Sequence, residues 1–222
     1  MKTVLALLLV GLCFGGATVQ AKDLRDAPFA EVQQAAEQGD ASAQSHLGAM
    51  YLFGDGITQD NLKAETWFRK AAEQDDEEAQ HNLGMMYKEG RGVTQDYRLA
   101  VSFFRKAASQ GSFISQYMLG RAYYEGKGVT QDYRQAASWF RKAAEQGFGE
   151  AQFSLGVLYY NGDGLPENNK MAYVWFSVAS TNGYIEAATI RDKVAKKLTP
   201  AELADAQTLA GEYFEKYQTK TP

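Results

Sequence analysis

The chain of 222 residues is 45% hydrophobic and 13% aromatic, ample for a core, and its 23 Lys+Arg against 27 Asp+Glu leave a formal charge of −4 at pH 7. A net acidic chain lacks the basic surface on which general nucleic-acid or anionic-membrane binding depends, so neither partner is expected. Cys13 is the only cysteine and lies in the N-terminal apolar run; nothing downstream can form a disulfide, and stability must come from packing.

Met1 to Ala21 reads as a secretory signal. Lys2 opens it, Val4 to Phe14 is an apolar run too short to span a bilayer comfortably, and Val19-Gln20-Ala21 precede a cut at Lys22. A retained N-terminal anchor is the alternative. A lipoprotein site at Cys13 is opposed by Leu12, which is large where such a site needs Gly, Ala or Ser. Cleavage removes Lys2, leaves 22 basic against 27 acidic residues, a charge of −5, and places the mature chain in the periplasm or outside the cell, with no stable membrane insertion. Residues 22–39 then form an N-terminal cap, with a helix over 27–38, Asp26 at its N-cap and Pro28 in its first turn. Ala35 to Gly39 match Ala71 to Asp75 one period later, but Glu31 and Val32 hold the places of Trp67 and Phe68.

From there the chain falls onto itself when slid by 36 residues. Leu47-Gly48, Leu83-Gly84, Leu119-Gly120 and Leu155-Gly156 align, as do Tyr51, Tyr87, Tyr123 and Tyr159, and Trp67-Phe68, Phe103-Phe104, Trp139-Phe140 and Trp175-Phe176. A fixed period of this length marks a solenoid, here of four units: 40–75, 76–111, 112–147 and 148–183. In each, one apolar stripe at helical spacing (Ala151, Leu155, Leu158 and Tyr159 in the fourth) predicts a first helix. Gly-x-Gly stops it, because glycine tolerates positive φ. Asp60, Asp96, Asp132 and Asn168 cap a second helix, in which Ala64, Trp67, Phe68 and Ala71 recur at i, i+3, i+4 and i+7. Arg69-Lys70, Arg105-Lys106 and Arg141-Lys142 suit the negative end of its dipole, and Gly111, Gly147, Gly183 and once Asp75 close it. Small residues such as Gly48 let paired helices approach, and the aromatics are expected to fill the space between units. A fifth unit from Tyr184 degenerates, with Arg191 and Asp192 in the places of Leu-Gly. Thr199-Pro200-Ala201-Glu202 is a capping box that opens a last helix over about 200–217, laid on the open end; Gln218 to Pro222 should fray. Residues 184–222 are thus a degenerate repeat and a C-terminal cap.

These motifs resemble the Sel-1-like repeat, a relative of the tetratricopeptide repeat. The resemblance runs from about Asp40 to Gly183 and implies an all-α, right-handed α-solenoid of antiparallel helix pairs. It also implies a binding surface or scaffold more than an enzyme. Some secreted relatives are cysteine-rich and have been linked to β-lactam binding or hydrolysis; this chain departs from them in having no mature cysteine.

Catalytic, metal and cofactor sites are not expected. His46 and His81, the only histidines, fall on neighbouring helices and give too few ligands for zinc; a solvated His81 is the simpler expectation. Asp75-Asp76-Glu77-Glu78 sit where a helix N-terminus stabilises carboxylates. The Gly-x-Gly turns follow helices and lack a phosphate-binding context. No serine has lysine three residues on, and Ser180-Thr181-Asn182, the one Ser-x-Asn, is assigned to a turn between repeats.

What remains is variation between copies. Leu, Gly and Tyr in the first helix do not change, but Ser45, His81, Tyr117 and Phe153 are equivalent, as are Ala49, Met85, Arg121 and Val157, and Leu52, Lys88, Tyr124 and Tyr160. By analogy with tetratricopeptide arrays, this face lines the concave groove. The expected partner-binding set is His81, Met85, Lys88, Tyr117, Arg121, Tyr124, Phe153, Val157 and Tyr160, with exposed neighbouring aromatics in the later copies. The expected ligand is a protein or peptide. Drift on an idle face, a β-lactam- or cell-wall-directed binder or hydrolase, and a secreted factor that engages a host cell are the alternatives.

Overall fold

The computed structural model describes residues 27–218; the expected signal segment, Asp26 as a cap and the frayed tail after Gln218 lie outside the described residues. Among the described residues there are eleven α-helices and no strand: α1 (Phe29–Glu37), α2 (Ala41–Phe53), α3 (Asn61–Ala72), α4 (Glu77–Glu89), α5 (Tyr97–Ser109), α6 (Phe113–Glu125), α7 (Tyr133–Ala144), α8 (Gly149–Asn161), α9 (Asn169–Thr181), α10 (Glu186–Ala195) and α11 (Pro200–Tyr217). The helices α2/α3, α4/α5, α6/α7 and α8/α9 pair, each second helix packs on the first helix of the next unit, and α1 packs on α2. This is an α-solenoid, whose core is a strip shared between neighbours.

Local chemistry sets the boundaries. The carboxylates of Asp60, Asp96 and Asp132 each accept from two backbone N–H groups at the start of α3, α5 and α7, and Asn168 accepts from Met171 N. Asp40 and Asp76 each accept from one backbone N–H, of Ala43 and Ala79, at the start of α2 and α4. Pro28 stands at the N-cap of α1, one position before the expected first turn, and supplies no side-chain cap. The first Gly of each Gly-x-Gly ends α2, α4, α6 and α8 in the left-handed region. Asp75, at φ 62°, takes the glycine position after α3 as expected.

Paired helices approach most closely at a glycine: a Cβ on Gly84 or Gly120 would lie 2.5 Å from the ring of Phe104 or Phe140, and the same pairing recurs at Gly48–Phe68 and Gly156–Phe176. These phenylalanines therefore fill their own unit. The space between units is filled in part by aromatics, as expected (Tyr117 on Phe148 and Phe153 on Tyr184), and is also held by hydrogen bonds. Arg69, Arg105 and Arg141 donate to the hydroxyls of Tyr87, Tyr123 and Tyr159 in the next unit at 2.7, 3.2 and 3.0 Å, so these arginines are ties as well as dipole partners. From the second unit on, the second Gly of the Gly-x-Gly is a contact point, Gly92 to Asn61, Gly128 to Tyr97 and Gly164 to Tyr133: a Cβ on Gly128 would lie 2.2 Å from the Tyr97 carbonyl oxygen at the start of the preceding unit's second helix.

A glutamine ladder runs through the same junctions. Gln44, Gln80, Gln116 and Gln152 are buried. Gln74, Gln110 and Gln146 donate to the side-chain carbonyls of Gln44, Gln80 and Gln116 at 2.9 Å, and to the backbone carbonyls of Gly39, Asp75 and Gly111. Asn182 continues the ladder to Gln152 and to the Tyr217 carbonyl. Buried amides are tolerated because each finds partners.

At the C-terminal end both α10 and α11 pack on α9. Thr199 and Glu202 form the expected capping box, and Trp175 is enclosed by Tyr213 and Tyr217 at 5.2 and 5.8 Å between ring centroids. Arg191 and Asp192 pair with each other at 2.7 Å, with Asp192 largely in solvent, as suits a terminal unit.

Candidate functional site

The nine residues expected to form the groove lie on α4, α6 and α8, and all nine are half-buried. Their rings are not the free projections that the sequence suggested. Tyr117 packs on Phe140 and Phe148, at 5.6 and 5.2 Å, and Phe153 on Phe176 and Tyr184, at 5.3 and 4.8 Å. Each thus leans on the phenylalanine of its own unit and on an aromatic at the start of the next. Tyr124 meets Tyr133 edge-on at 5.3 Å, and Tyr160 lies under the Lys197 ammonium at 4.2 Å. The first-unit counterparts Ser45 and Leu52 are 2% and 4% exposed, so the expected face is closed off in the first unit.

Five of the nine come together. Tyr117, Arg121, Tyr124, Phe153 and Val157, with Glu125, Phe140 and Ser154, enclose a cavity of about 220 Å³ between α6 and α8. Lys88 lines an adjoining cleft with Phe104, Met118 and Lys127, and Arg121 and Glu125 form the wall common to both. The other three stand apart: Met85 packs against the core around α4 and α5, Tyr160 is covered by Lys197, and His81 is engaged elsewhere. Arg121 donates to Glu125 at 3.1 and 2.6 Å, and this bond raises the guanidinium pKa. Burial raises the hydroxyl pKa of Tyr117 and Tyr124, so both stay neutral. Glu125, Phe140 and Ser154 were missed because they do not lie on the positions singled out by variation: the counterparts of Glu125 are Phe53, Glu89 and Asn161, and Phe140 reads as core.

His81 is not a solvated side chain. Its Nδ1 is 2.9 Å from Ser115 Oγ, and its ring lies 5.8 Å from that of Phe104. Burial depresses its pKa below the usual 6.5. The unfolded chain then binds the proton first, so the contribution of His81 to stability is present above 6.5 and is lost as the pH falls through the folded-state value. The thermal midpoint should fall between about pH 7.5 and about pH 5.5, and the fall should shrink in His81→Asn; an unchanged slope in the variant would place the titration elsewhere.

Ser180 and Thr181 are the last residues of α9 and not part of a turn, because Thr181 Oγ1 donates back to the Ser177 carbonyl at 3.0 Å and Asn182 is held by the glutamine ladder. Asp76 of the acidic run caps α4. Among the described residues, no three His, Cys, Asp or Glu side chains are grouped to hold a metal ion, and no helix is long and apolar enough to cross a membrane.

What the cleft offers is two tyrosine hydroxyls, aromatic faces and an arginine, the groups of a recognition surface. Compared with known protein families, residues 41–76, 77–112, 114–148 and 149–184 each match the Sel1 repeat. The chain belongs to the Sel1 repeat family. Among solved structures, it is similar to a Sel1 repeat protein from Oxalobacter formigenes, at 32% identity and a TM-score of 0.69, over 82% of this chain and 75% of that one. It is also similar to c5321, a protective antigen of uropathogenic Escherichia coli strains, at 35% identity and a TM-score of 0.58, over 85% of this chain. The chain spans about half the length of that antigen, 48%. No curated protein matches the sequence. Proteins built of Sel1 repeats are generally scaffolds for protein interaction, and generally not catalysts.

Proposed function

We propose that this Sel1 repeat protein is a non-catalytic, exported interaction module that binds a protein or peptide on the concave, first-helix side of its solenoid. The observation that carries this reading is the cavity of about 220 Å³ walled by Tyr117, Tyr124, Phe153 and Arg121. Aromatic and arginine side chains around a partly desolvated pocket are the groups that anchor partners in protein interfaces. The half-burial of these rings divides them. Tyr117 and Phe153 each touch two other rings, so they serve packing and recognition together. Tyr124 touches only Tyr133 among the described rings and is the cleaner probe. Tyr124→Ala should weaken partner binding by about 2 kcal/mol or more, over tenfold in affinity, and change stability by about 1 kcal/mol or less. The check is to compare immobilised wild-type and Tyr124→Ala chains against the same periplasmic extract, with thermal unfolding of both. A variant that retains the same proteins as strongly as wild type would overturn the assignment of the site.

Export rests on the pattern of Lys2, the apolar run Val4 to Phe14 and Val19-Gln20-Ala21. N-terminal sequencing of periplasmic material should begin at Lys22. Recovery of intact Met1 in the membrane fraction would instead support the retained anchor.

A further inference from the structure

The cleft has a charge pattern that narrows the partner, an inference that rests on the groove reading above. Lys88, Arg121 and Lys127 line it with a single carboxylate, Glu125. That carboxylate already serves Arg121 at 2.6 Å and Lys127 at 2.8 Å. Three cations thus face one anion in a chain whose overall charge is −4. Lys88 forms no ion pair among the described residues. Arg121 spends two N–H groups on Glu125, and a guanidinium carries five, so donors remain. The floor between these cations is apolar, made by Ala100, Val101, Phe104 and Met118. Across Arg121 lies the aromatic cavity, whose apolar lining is Tyr117, Tyr124, Phe140, Phe153 and Val157. A carboxylate is favoured between Lys88 and Arg121, and an apolar side chain in the cavity beyond.

The geometry points to an acidic peptide segment as the occupant: an Asp or Glu side chain pairs with Lys88 and Arg121, and an adjacent aromatic or large aliphatic side chain enters the cavity walled by Tyr117, Tyr124, Phe153 and Val157. The surface continues from Lys88 on α4 to Val157 on α8, so one extended segment can meet both features. Both features act together. The pair of cations selects and orients, and the apolar side chain supplies most of the attraction.

The test is an array of random heptapeptides blocked at both ends, probed with labelled purified chain at low and at high salt. The expected result is enrichment of peptides with Asp or Glu beside Phe, Trp, Tyr, Leu or Met. Changing the acidic residue of a retained peptide to its amide should weaken binding at least tenfold, as should Lys88→Gln in the protein. High salt should weaken the acidic peptides most. If peptides are retained, and lost in Tyr124→Ala, but show no acidic preference and are indifferent to Lys88→Gln, this inference fails while the groove reading stands. If no peptide is retained by the wild-type chain, both fail.

Discussion

Gly128→Ala should be among the most damaging single substitutions in this chain, with a loss of about 3 kcal/mol or more, at the high end for point changes. Two costs combine. Gly128 sits at φ +76°, where a residue with a Cβ pays roughly 1–2 kcal/mol. The added Cβ would also lie 2.2 Å from the Tyr97 carbonyl oxygen and 2.5 Å from its carbon. Those atoms are backbone at the start of α5, so no rotamer change relieves the overlap, and the second and third units must separate. Gly126→Ala is the control. Its φ is +67°, but its Cβ would come within 3.2 Å of the Gln131 Cβ and no nearer than 3.5 Å to any backbone atom, so it should cost about 1–2 kcal/mol. Urea unfolding of both variants decides the matter; equal losses would mean that the second glycine serves the turn alone.

Leu119→Ala should cost roughly 2–5 kcal/mol through lost burial and the cavity left behind. Leu119 is fully buried, and it packs with Phe103, Phe104 and Met86 of the preceding unit. It belongs to the core shared with the preceding unit, so it is a tie across the junction. Because solenoid stability is the sum of unit and junction terms, the loss should appear as a less cooperative transition as well as a lower midpoint. A loss no larger than that of Tyr124→Ala would show that the leucine is not core, and that the wrong face of α6 had been assigned to packing.

The helix pairs were legible because their ends are marked by chemistry local in sequence. Asp60, Asp96, Asp132 and Asn168 cap one helix of each pair, and the glycines end the other. Gly48 and its equivalents announced close approach, and Phe68 and its equivalents are what they receive. Less legible was anything that depends on a partner 30 residues or more away. Gln116 reads as a polar surface residue, yet it is buried, because Gln146 and the Ala108 carbonyl satisfy its amide. Tyr117 and Phe153 have the period of a groove face. Their half-burial comes from Phe148 and Tyr184, which the chain brings over them only at the start of the next unit. The expected set is wider than the cavity for the same reason: His81 is taken up by Ser115, a residue of α6, and Tyr160 by Lys197. Five of the proposed residues share one cavity because they lie on α6 and α8, the first helices of adjacent units.

The claim at the centre of this account is that partners engage the first-helix side. A photo-crosslinking residue placed at Val157, in the aromatic cavity, and separately at Ser138, exposed on the second helix α7, addresses it directly. The account predicts that a partner captured by the wild-type chain crosslinks at position 157 and not at 138. Crosslinking at 138 alone would contradict it.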